Sequence, residues 1–521
     1  MLMGIELASR GIKTLICEKR EEGVYYTARI NLTNARTMEH FRRLGIADRL
    51  RANDPVPTKY KRDVTFSTRA NGKIIVNIEG ACEWKERLPI TSEVPEWAPH
   101  QAIEKTLHER IQELPEAQLA FESTVTDFTQ GADGVSVTYE TPEGAIRVEG
   151  QYLVVCDGAR SDLRRKLNLP LTGETLAQSM SWHFKAPRLA DLFAKTRLSS
   201  FTFFLNEDRY SDLIMPQSGD DHWVYMCSPL PEWLDPNDWK AVRKMLFRSI
   251  GAEFEITEAT GGPWASSSRM APTYNQGRVL LAGDAAHLTS PFGGFGMNMG
   301  AGDTADLGWK IPALLEGWGG PWMLDSYTIE RQEAERFIIE GSAHNQKLLG
   351  SEILPHMEEE SERGEEVRNQ VAELVLKQKT QEFRSLGAQL GYRYLNSPLI
   401  IREGNEAPPL NYGEFVPVAL PGYRAPHVWL HDDSSLFDHF GSGFCLLKLA
   451  PSAETERLES AAARYGVPFK TFELDNQEAR DLYERKLVLI RPDQHIAWRG
   501  NKLPEDCEEL INIVRGAGNC R

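Results

Sequence analysis

The sequence predicts an α/β protein with more than one domain, and three observations lead to this prediction. The chain has 521 residues, which is more than one hydrophobic core usually organises. Residues 2–18 read as a helix followed by a buried strand, and residues 277–307 read as a strand, a glycine-rich loop and a helix. Residues 410–521 again alternate strands with helices, as a small α/β unit does.

The beginning of the chain reads as the second half of a β-α-β unit. Residues 2–8 fit an apolar helix, Gly4 would let that helix pack closely on a sheet, and residues 13–17 read as a strand ending at Glu18. In dinucleotide-binding folds, an acidic residue at the end of the second strand follows the glycine fingerprint by about 20 residues. Glu18 occupies that place, so the first strand and the phosphate loop are expected to be missing from this sequence.

Two explanations for this arrangement are open. In the first, the start is misassigned or shortened, and the natural protein carries the missing strand and binds its dinucleotide normally. In the second, the chain begins at Met1, which leaves a gap in the sheet, no glycine loop for a pyrophosphate, and weak binding.

Two stretches rich in β-branched and aromatic residues predict a largely antiparallel sheet. They cover residues 63–85 and 171–230 and contain turn signals between the apolar runs. Side chains of this sheet can line a pocket, and we take His183 and Tyr225 as candidates. Each of them can equally be an ordinary sheet residue.

The glycine-rich run is the strongest functional signal in the chain. An apolar strand at residues 279–282 ends in Gly283-Asp284, and further glycines precede a helix predicted over residues 297–307: Gly293, Gly294 and Gly296. Glycines let the backbone come close to a ligand, the aspartate can accept hydrogen bonds from sugar hydroxyls, and a helix N-terminus favours negative charge. The run therefore predicts a site for a large anionic cofactor.

The rest of the chain reads as helices, a linker and a last domain. Residues 323–349 form a long amphipathic pattern, and a proline-rich stretch at residues 408–426 suits a linker. Beyond it we predict strands at residues 444–449, 469–474 and 487–490 and helices at residues 453–465 and 504–514.

These motifs resemble those of the single-component flavoprotein aromatic hydroxylases, the family that includes phenol hydroxylase. Residues 283–298 are similar to the second FAD-binding motif of that family. Residues 34–39, 101 and 156–161 resemble three further family segments in the expected order. Residues 424–427 and 491–499 resemble the thioredoxin-like C-terminal domain of larger members, although Gln494 stands where a glycine is usual.

The resemblance implies the domain organisation and the site residues. It implies an FAD-binding Rossmann-like domain of the glutathione reductase type (residues 1–170 and 265–390), a β-sheet substrate domain (171–264, with 63–95 contributing) and a thioredoxin-like domain (410–521). Asn31, on a segment that passes near the flavin in relatives, joins His183 and Tyr225 as a catalytic candidate. The candidate FAD contacts are Glu18, Arg36, Gln101, Asp157, Gly283, Asp284, Pro291, Gly293, Gly294, Gly296, Met297 and Asn298.

The resemblance also implies an activity. It points to an enzyme that consumes NADPH or NADH and molecular oxygen and hydroxylates a phenolic or polycyclic aromatic substrate through a flavin C4a-hydroperoxide. Two alternatives are open. One is a flavin monooxygenase that performs Baeyer–Villiger insertion or epoxidation, and the other is an N-terminally truncated binding protein without catalysis.

Composition excludes several other classes. The net charge of −16 argues against a general nucleic-acid partner, and no apolar run approaches the roughly 18 residues that a membrane helix needs. No secretion signal is evident, so a cytoplasmic location is expected. The seven cysteines show neither metal-ligand nor Cys-x-x-Cys spacing. We therefore expect no metal, and a structural or homodimer-forming role for the last domain instead of dithiol exchange.

Overall fold

The structure is a computed structural model that describes residues 1–25, 32–57, 59–81, 86–195, 197–208, 212–219, 221–348, 353–404 and 407–518. The α-helices in these ranges are α1 (Leu2–Ala8), α2 (Ala35–Arg43), α3 (Ala47–Asn53), α4 (His100–Gln112), α5 (Asp162–Lys166), α6 (Trp239–Ile250), α7 (Gly296–Leu315), α8 (Trp322–Lys347), α9 (Glu362–Phe383), α10 (Leu386–Leu390), α11 (Glu456–Arg464), α12 (Gln477–Tyr483) and α13 (Cys507–Val514). Short 3-10 helices cover Leu189–Lys195, Gly283–Ala285 and Leu436–His439.

The strands in the same ranges form parallel and antiparallel sheets. They are β1 (Thr14–Cys17), β2 (Leu32–Thr33), β3 (Lys61–Ser67), β4 (Ile74–Ile78), β5 (Glu96–Trp97), β6 (Ala117–Ala120), β7 (Thr124–Gln130), β8 (Val135–Thr141), β9 (Gly144–Gly150), β10 (Leu153–Val155), β11 (Thr172–Lys185), β12 (Ser199–Phe204), β13 (Asp212–Ser218), β14 (His222–Cys227), β15 (Glu258–Met270), β16 (Asn275–Gln276), β17 (Val279–Leu281), β18 (His287–Leu288), β19 (Phe444–Lys448), β20 (Phe469–Glu473), β21 (Leu487–Ile490) and β22 (Ile496–Gly500).

Short parallel pairs build the first layer, as the sequence predicts. Strand β1 pairs in parallel with β6, and β10 pairs in parallel with β17. Helix α1 packs on β1 at Gly4, where an added Cβ would come within 2.3 Å of the Ile16 side chain. The prediction that Gly4 permits close packing of helix and sheet is confirmed. The expectation that a first strand and phosphate loop are missing stays a prediction.

An eight-stranded sheet forms the second layer. Its order is β18-β15-β11-β14-β13-β12-β3-β4, and it is antiparallel except for the β12–β3 pair. Both stretches predicted as sheet contribute to it, so that prediction is confirmed. One face packs against α6 through a core that includes Trp182 and Tyr225, and the other face carries a second apolar cluster that includes Phe201 and Phe203. A three-stranded meander, β7-β8-β9, was not predicted from the sequence.

The last unit is a four-stranded sheet with helices on both faces. Its order is β20-β19-β21-β22, with β19 and β20 parallel and the other pairs antiparallel. Helices α11 and α13 pack on one face and α12 on the other. Trp309 and Trp318 join the core beneath α11 and α13, so this unit shares a hydrophobic core with the region of α7 and α8. Its thioredoxin-like character stays a prediction.

The order of helices and strands agrees with the predicted α/β class. Among the described helices, none combines the length and the apolar character that a membrane crossing requires.

Candidate functional site

The turn at Gly283 presents open backbone at the end of strand β17. Gly283 has φ of +59°, in the left-handed region that favours glycine. A Cβ added there would meet no atom of the described residues within 4 Å. The left-handed backbone accounts for the glycine, but no packing contact within the described residues uses the space where a side chain would project. The turn therefore suits the close approach of a ligand to the backbone.

Helix α7 begins beside this turn. A Cβ at Gly300, in the first turns of the helix, would lie 3.4 Å from the Cα of Gly283. Gly283 thus lies beside the second turn of α7, near the N-terminal part of the helix, whose dipole favours a negatively charged ligand. The sequence predicted this helix from Met297, and the structure begins it at Gly296 and extends it to Leu315.

Asn298 joins the glycine loop to the segment that precedes α2. Its side-chain NH₂ group donates to the carbonyl oxygens of Leu32 (2.8 Å) and Gly294 (2.6 Å), and its Oδ1 accepts from the backbone N–H of Asn34 (2.9 Å). Gly294 has φ of +70° and packs close to Leu32. Asn298 therefore holds the loop in place, and Met297 beside it packs against the core of α1, α2 and α4.

Two of the predicted motifs meet at one edge of a sheet. Val155 of β10 pairs with Leu281 of β17, so Asp157 and Gly283 follow neighbouring parallel strands at the same carboxyl end. Ligands of α/β proteins bind at such edges. Asp157 is exposed and accepts a weak hydrogen bond from the backbone N–H of Leu163 (3.4 Å).

Glu18 and Gln101 lie on the elements next to β1. Glu18 follows β1, and Arg20 donates to both of its carboxylate oxygens from Nε (3.0 Å) and Nη2 (2.9 Å). Burial alone would raise the pKa of Glu18, but these hydrogen bonds lower it below its usual value. Gln101 lies half-buried in the first turn of α4.

Arg36 lies in a buried hydrogen-bond network that includes the last unit. Its guanidinium donates to Glu39 Oε2 (2.8 Å), to Gln494 Oε1 (2.6 Å) and to the carbonyl oxygen of Asp493 (2.6 Å). Gln494 adopts φ of +68°, which explains why glycine is usual at this position, and its side chain binds Arg36. Arg36 thus connects α2 to the last unit, and its role as an FAD contact stays a prediction.

The loop that follows β18 reaches the eight-stranded sheet. Phe292, between Pro291 and Gly293, belongs to the same apolar cluster as Phe201, Phe203, Val224 and Met226 on the sheet. The cluster also receives Phe383 and Val375 from α9. An aromatic ligand between the loop and this face would contact mostly carbon atoms.

His183 projects from the same face as that apolar cluster. It is paired directly across the sheet with Val224, and directly opposed residues of an antiparallel pair share a face. His183 is 4% exposed, and neither ring nitrogen has a hydrogen-bond partner among the described residues. Burial and the neighbouring His222, whose ring centroid is 5.8 Å away, lower its pKa to about 4.

Tyr225 projects from the opposite face and lies in the core against α6. Its hydroxyl donates to Asp212 Oδ2 (2.5 Å), which also accepts from Ser249. Burial raises the pKa of Asp212 to about 7. The structure therefore does not bring Tyr225 to the loop. The third candidate, Asn31, lies outside the described residues.

Sequence reasoning missed a buried ion cluster directly beneath the Gly283 turn. His287, Asp303, Arg331 and Glu335 are at most 2% exposed, and each of the two basic side chains lies within hydrogen-bonding distance of both carboxylates. Burial opposes ionisation of Asp303, but the charges of His287 and Arg331 hold its pKa well below the usual range. Glu335 and Asp303 in turn raise the pKa of His287 to about 9 against the effect of burial. Charged residues inside the otherwise apolar α7 pattern were the available signal.

A second buried cluster lies one turn further along α7. Asp306 and Lys310 of α7 meet Glu330 of α8 and Arg491 and Asp493 of the last unit. Both clusters bring three potential metal-ligating groups together. Each of them already contains basic side chains, so ion pairing accounts for their carboxylates.

Two protein-family models together match most of the chain. The sequence model described as FAD binding domain matches residues 1–342, and the one described as aromatic-ring hydroxylase, C-terminal, matches residues 418–516.

Individual relatives agree with the family matches. The chain is 31% identical to the FAD-dependent monooxygenase opdD of Penicillium oxalicum over 94% of this chain and 100% of that protein. It is 26% identical to the aklavinone 12-hydroxylase RdmE of Streptomyces purpurascens over 98% and 94% of the two chains. Among solved structures, the rebeccamycin biosynthetic enzyme RebC with reduced flavin superposes with a TM-score of 0.90 and 31% identity, covering 99% of this chain and 96% of RebC.

Proposed function

This chain belongs to the family of FAD-dependent aromatic-ring hydroxylases, and we propose that its substrate is an elongated phenolic or polycyclic aromatic compound. Membership makes it an FAD-dependent monooxygenase, as the sequence motifs predicted. We further propose NADPH or NADH as the reductant and molecular oxygen as the oxidant. In such enzymes FAD supplies the redox chemistry, while the protein supplies binding, orientation and exclusion of water.

The residues around the Gly283 turn fit FAD. Gly283 leaves open space beside its half-buried backbone, the N-terminal turns of α7 lie next to it, and Asp157 follows the neighbouring strand at the same sheet edge. An anionic, hydroxyl-rich cofactor satisfies each of these features, because amide dipoles favour its phosphates and carboxylates accept hydrogen bonds from its hydroxyls. We assign the dinucleotide to this edge, with Asp284, Gly293 and Gly294 on the segment that would line its path.

One observation carries the proposed substrate site: Phe292 of the glycine loop packs into the apolar cluster of the sheet face. A cofactor held by the loop and an aromatic compound held by the sheet would therefore be neighbours. The aromatic side chains on this face include a stacked pair, Phe66 and Phe203, with ring centroids 4.8 Å apart. An aromatic ring seated in this cluster would be surrounded by carbon atoms and kept from water, which would favour oxygen transfer over loss of the activated oxygen to solvent.

His183 indicates that the substrate is longer than one ring. A chain of hydrogen bonds connects the loop to β11. Ser290 donates to Gln346 Oε1 (2.8 Å), and the NH₂ group of Gln346 donates to the Ser228 hydroxyl (3.3 Å), which also accepts from Ser179 on β11 (2.7 Å). Ser179 and His183 share a face and are four residues apart, which is about 13 Å along a strand. A single phenol beside the loop would not reach His183.

We therefore propose that His183 binds a polar group at the far end of the substrate. A buried imidazole without a partner is unfavourable, so a ligand hydroxyl or carbonyl would satisfy it. His183 is a specificity residue in this proposal, and it takes no part in the chemistry beside the loop.

The test compares substrates of different length with the protein reconstituted with FAD. Phenols with one ring and with three or four fused rings are screened for stimulated NADPH or NADH consumption, and products are identified by mass and ring structure. We expect kcat/KM for the polycyclic phenols to be at least about tenfold higher, which corresponds to about 1.4 kcal/mol in free energy of activation. The expected product carries one added oxygen on an intact ring.

Two results would contradict the proposal. A product whose ring has expanded by one oxygen would identify Baeyer–Villiger chemistry instead of hydroxylation. Equal stimulation by one-ring and polycyclic phenols would show that the far end of the site, with His183, does not contribute to recognition.

A further inference from the structure

Asp303 connects the candidate cofactor turn to the protein interior. It lies on α7, is 0% exposed, and divides its two carboxylate oxygens between two groups of partners. Oδ2 accepts from the backbone N–H of Gly283 (2.8 Å) and lies 2.8 Å from His287 Nε2. Oδ1 accepts from Arg331 Nε (2.9 Å). Both ends of the turn that runs from Gly283 to His287 therefore bind one carboxylate.

Arg331 keeps Asp303 ionised and correctly oriented. Its guanidinium also donates to Glu335 Oε1 (3.0 Å), to the carbonyl oxygen of Met299 (3.2 Å) and to the hydroxyl of Tyr394 (3.1 Å). A Cβ at Gly302 would come within 2.6 Å of Arg331 Nη2. A glycine inside a helix costs stability, so here it makes room for the guanidinium.

The geometry leads to a role for this carboxylate in cofactor binding, which rests on the proposed FAD site. We propose that Asp303 is a positioning residue for FAD. By accepting from the Gly283 N–H and binding His287, it holds the turn in the one conformation that leaves the outer side of Gly283 open. Hydrogen bonds to an ionised acceptor are stronger than neutral ones, so the loop is preorganised before the cofactor binds.

Asp306 provides a matched control on the same helix. It is equally buried, at 1% exposed, and its carboxylate pairs with Lys310 (2.7 Å) in the second ion cluster. The ion-pair partners of Asp306 are Lys310 of α7 and Arg491 of the last unit, away from the Gly283 turn. Asp303→Asn and Asp306→Asn make the same substitution, one under the loop and one a turn away from it, although burial raises the pKa of Asp306 to about 8 and this control therefore removes less negative charge at neutral pH.

The experiment measures FAD affinity and apoprotein stability separately. The apoprotein of the wild type and of both variants is titrated with FAD, followed by flavin fluorescence and the visible flavin spectrum, and each apoprotein is melted without FAD. An asparagine must present its NH₂ group either to Arg331 or to Gly283 and His287, which are donors themselves. We expect Asp303→Asn to raise the Kd for FAD about tenfold or more, and Asp306→Asn to leave it within about threefold.

Each alternative outcome decides the matter. A Kd for Asp303→Asn that stays within threefold of the wild type, or that rises in both variants in step with their loss of Tm, would overturn the inference and leave the proposed function intact. A wild-type apoprotein that takes up no FAD would overturn the proposed function and this inference together. If Asp303→Asn does not fold, Arg331→Lys keeps the charge but not the fork of donors, and it must raise the Kd relative to Asp306→Asn.

Discussion

Replacing Gly283 by alanine tests whether this turn contacts the cofactor or is an ordinary turn. Gly283 has φ of +59° and open space where a Cβ would project. Gly317, just after α7, provides a matched control, because it has φ of +80° and equally open surroundings among the described residues. In both places alanine must adopt a left-handed conformation, which costs about 1–2 kcal/mol. Gly283→Ala and Gly317→Ala should therefore lose similar stability as apoproteins.

The two variants should differ in FAD affinity. At Gly283 the new methyl group occupies the space assigned to the cofactor, and forcing one extra carbon into a close-packed contact costs about 1–3 kcal/mol. At about 1.4 kcal/mol per factor of ten, the Kd for FAD should rise roughly fivefold to 150-fold. At Gly317 the methyl group lies away from the site, so the Kd should stay within about twofold.

The assay for these variants is again a flavin fluorescence titration of apoprotein, with urea unfolding of the same preparations to measure the strain. Equal Kd values for Gly283→Ala and Gly317→Ala would refute the assignment of the open turn to FAD. A much larger stability loss at Gly283 would refute the claim that its Cβ direction is unfilled.

Three further predictions concern stability and specificity. Arg424→Met should destabilise the protein by about 3–5 kcal/mol in urea unfolding, because it removes a partner of the buried Glu39 carboxylate. The control Arg464→Met, at the exposed pair with Glu508, should cost about 1 kcal/mol or less, and equal losses would contradict the argument. Asp212 has a folded pKa of about 7 against 3.8 usually, so the folded state binds the extra proton and stability should fall as pH rises between these values. Asp212→Asn should make the free energy of unfolding less dependent on pH in this range, and an unchanged pH profile would contradict the argument. His183→Leu should raise the KM for polycyclic phenols by about tenfold without changing the Kd for FAD. A changed Kd for FAD would show that His183 acts on the cofactor site and not on the substrate site.

Local sequence patterns were sufficient for much of the fold. The β-branched and aromatic runs of residues 171–230 predicted the sheet, and Gly4 predicted close packing of α1 because a glycine leaves room for the nearest strand. The glycine loop was also readable, since left-handed backbone at Gly283 and Gly294 requires glycine whatever the surroundings. The resemblance to flavoprotein hydroxylases was confirmed by the family matches.

The sequence did not indicate which residues that lie far apart along the chain contact one another. Nothing in the sequence around Arg36 indicates its hydrogen bond to Gln494, because that contact depends on the docking of the last unit. His183 and Tyr225 looked equivalent as aromatic, titratable sheet residues. Strand pairing with β14 places His183 on the face of the loop and leaves Tyr225 against α6.

The sequence by itself determined the elements whose cause is local: strands, helices, and a glycine turn at the end of a strand. Tertiary structure alone decided which charges meet, as when Asp303 of α7, Arg331 of α8 and the N–H of Gly283 converge in one buried cluster. The physical reason is that backbone preference acts between near neighbours, whereas a buried charge is stable only beside partners that the folded chain brings to it.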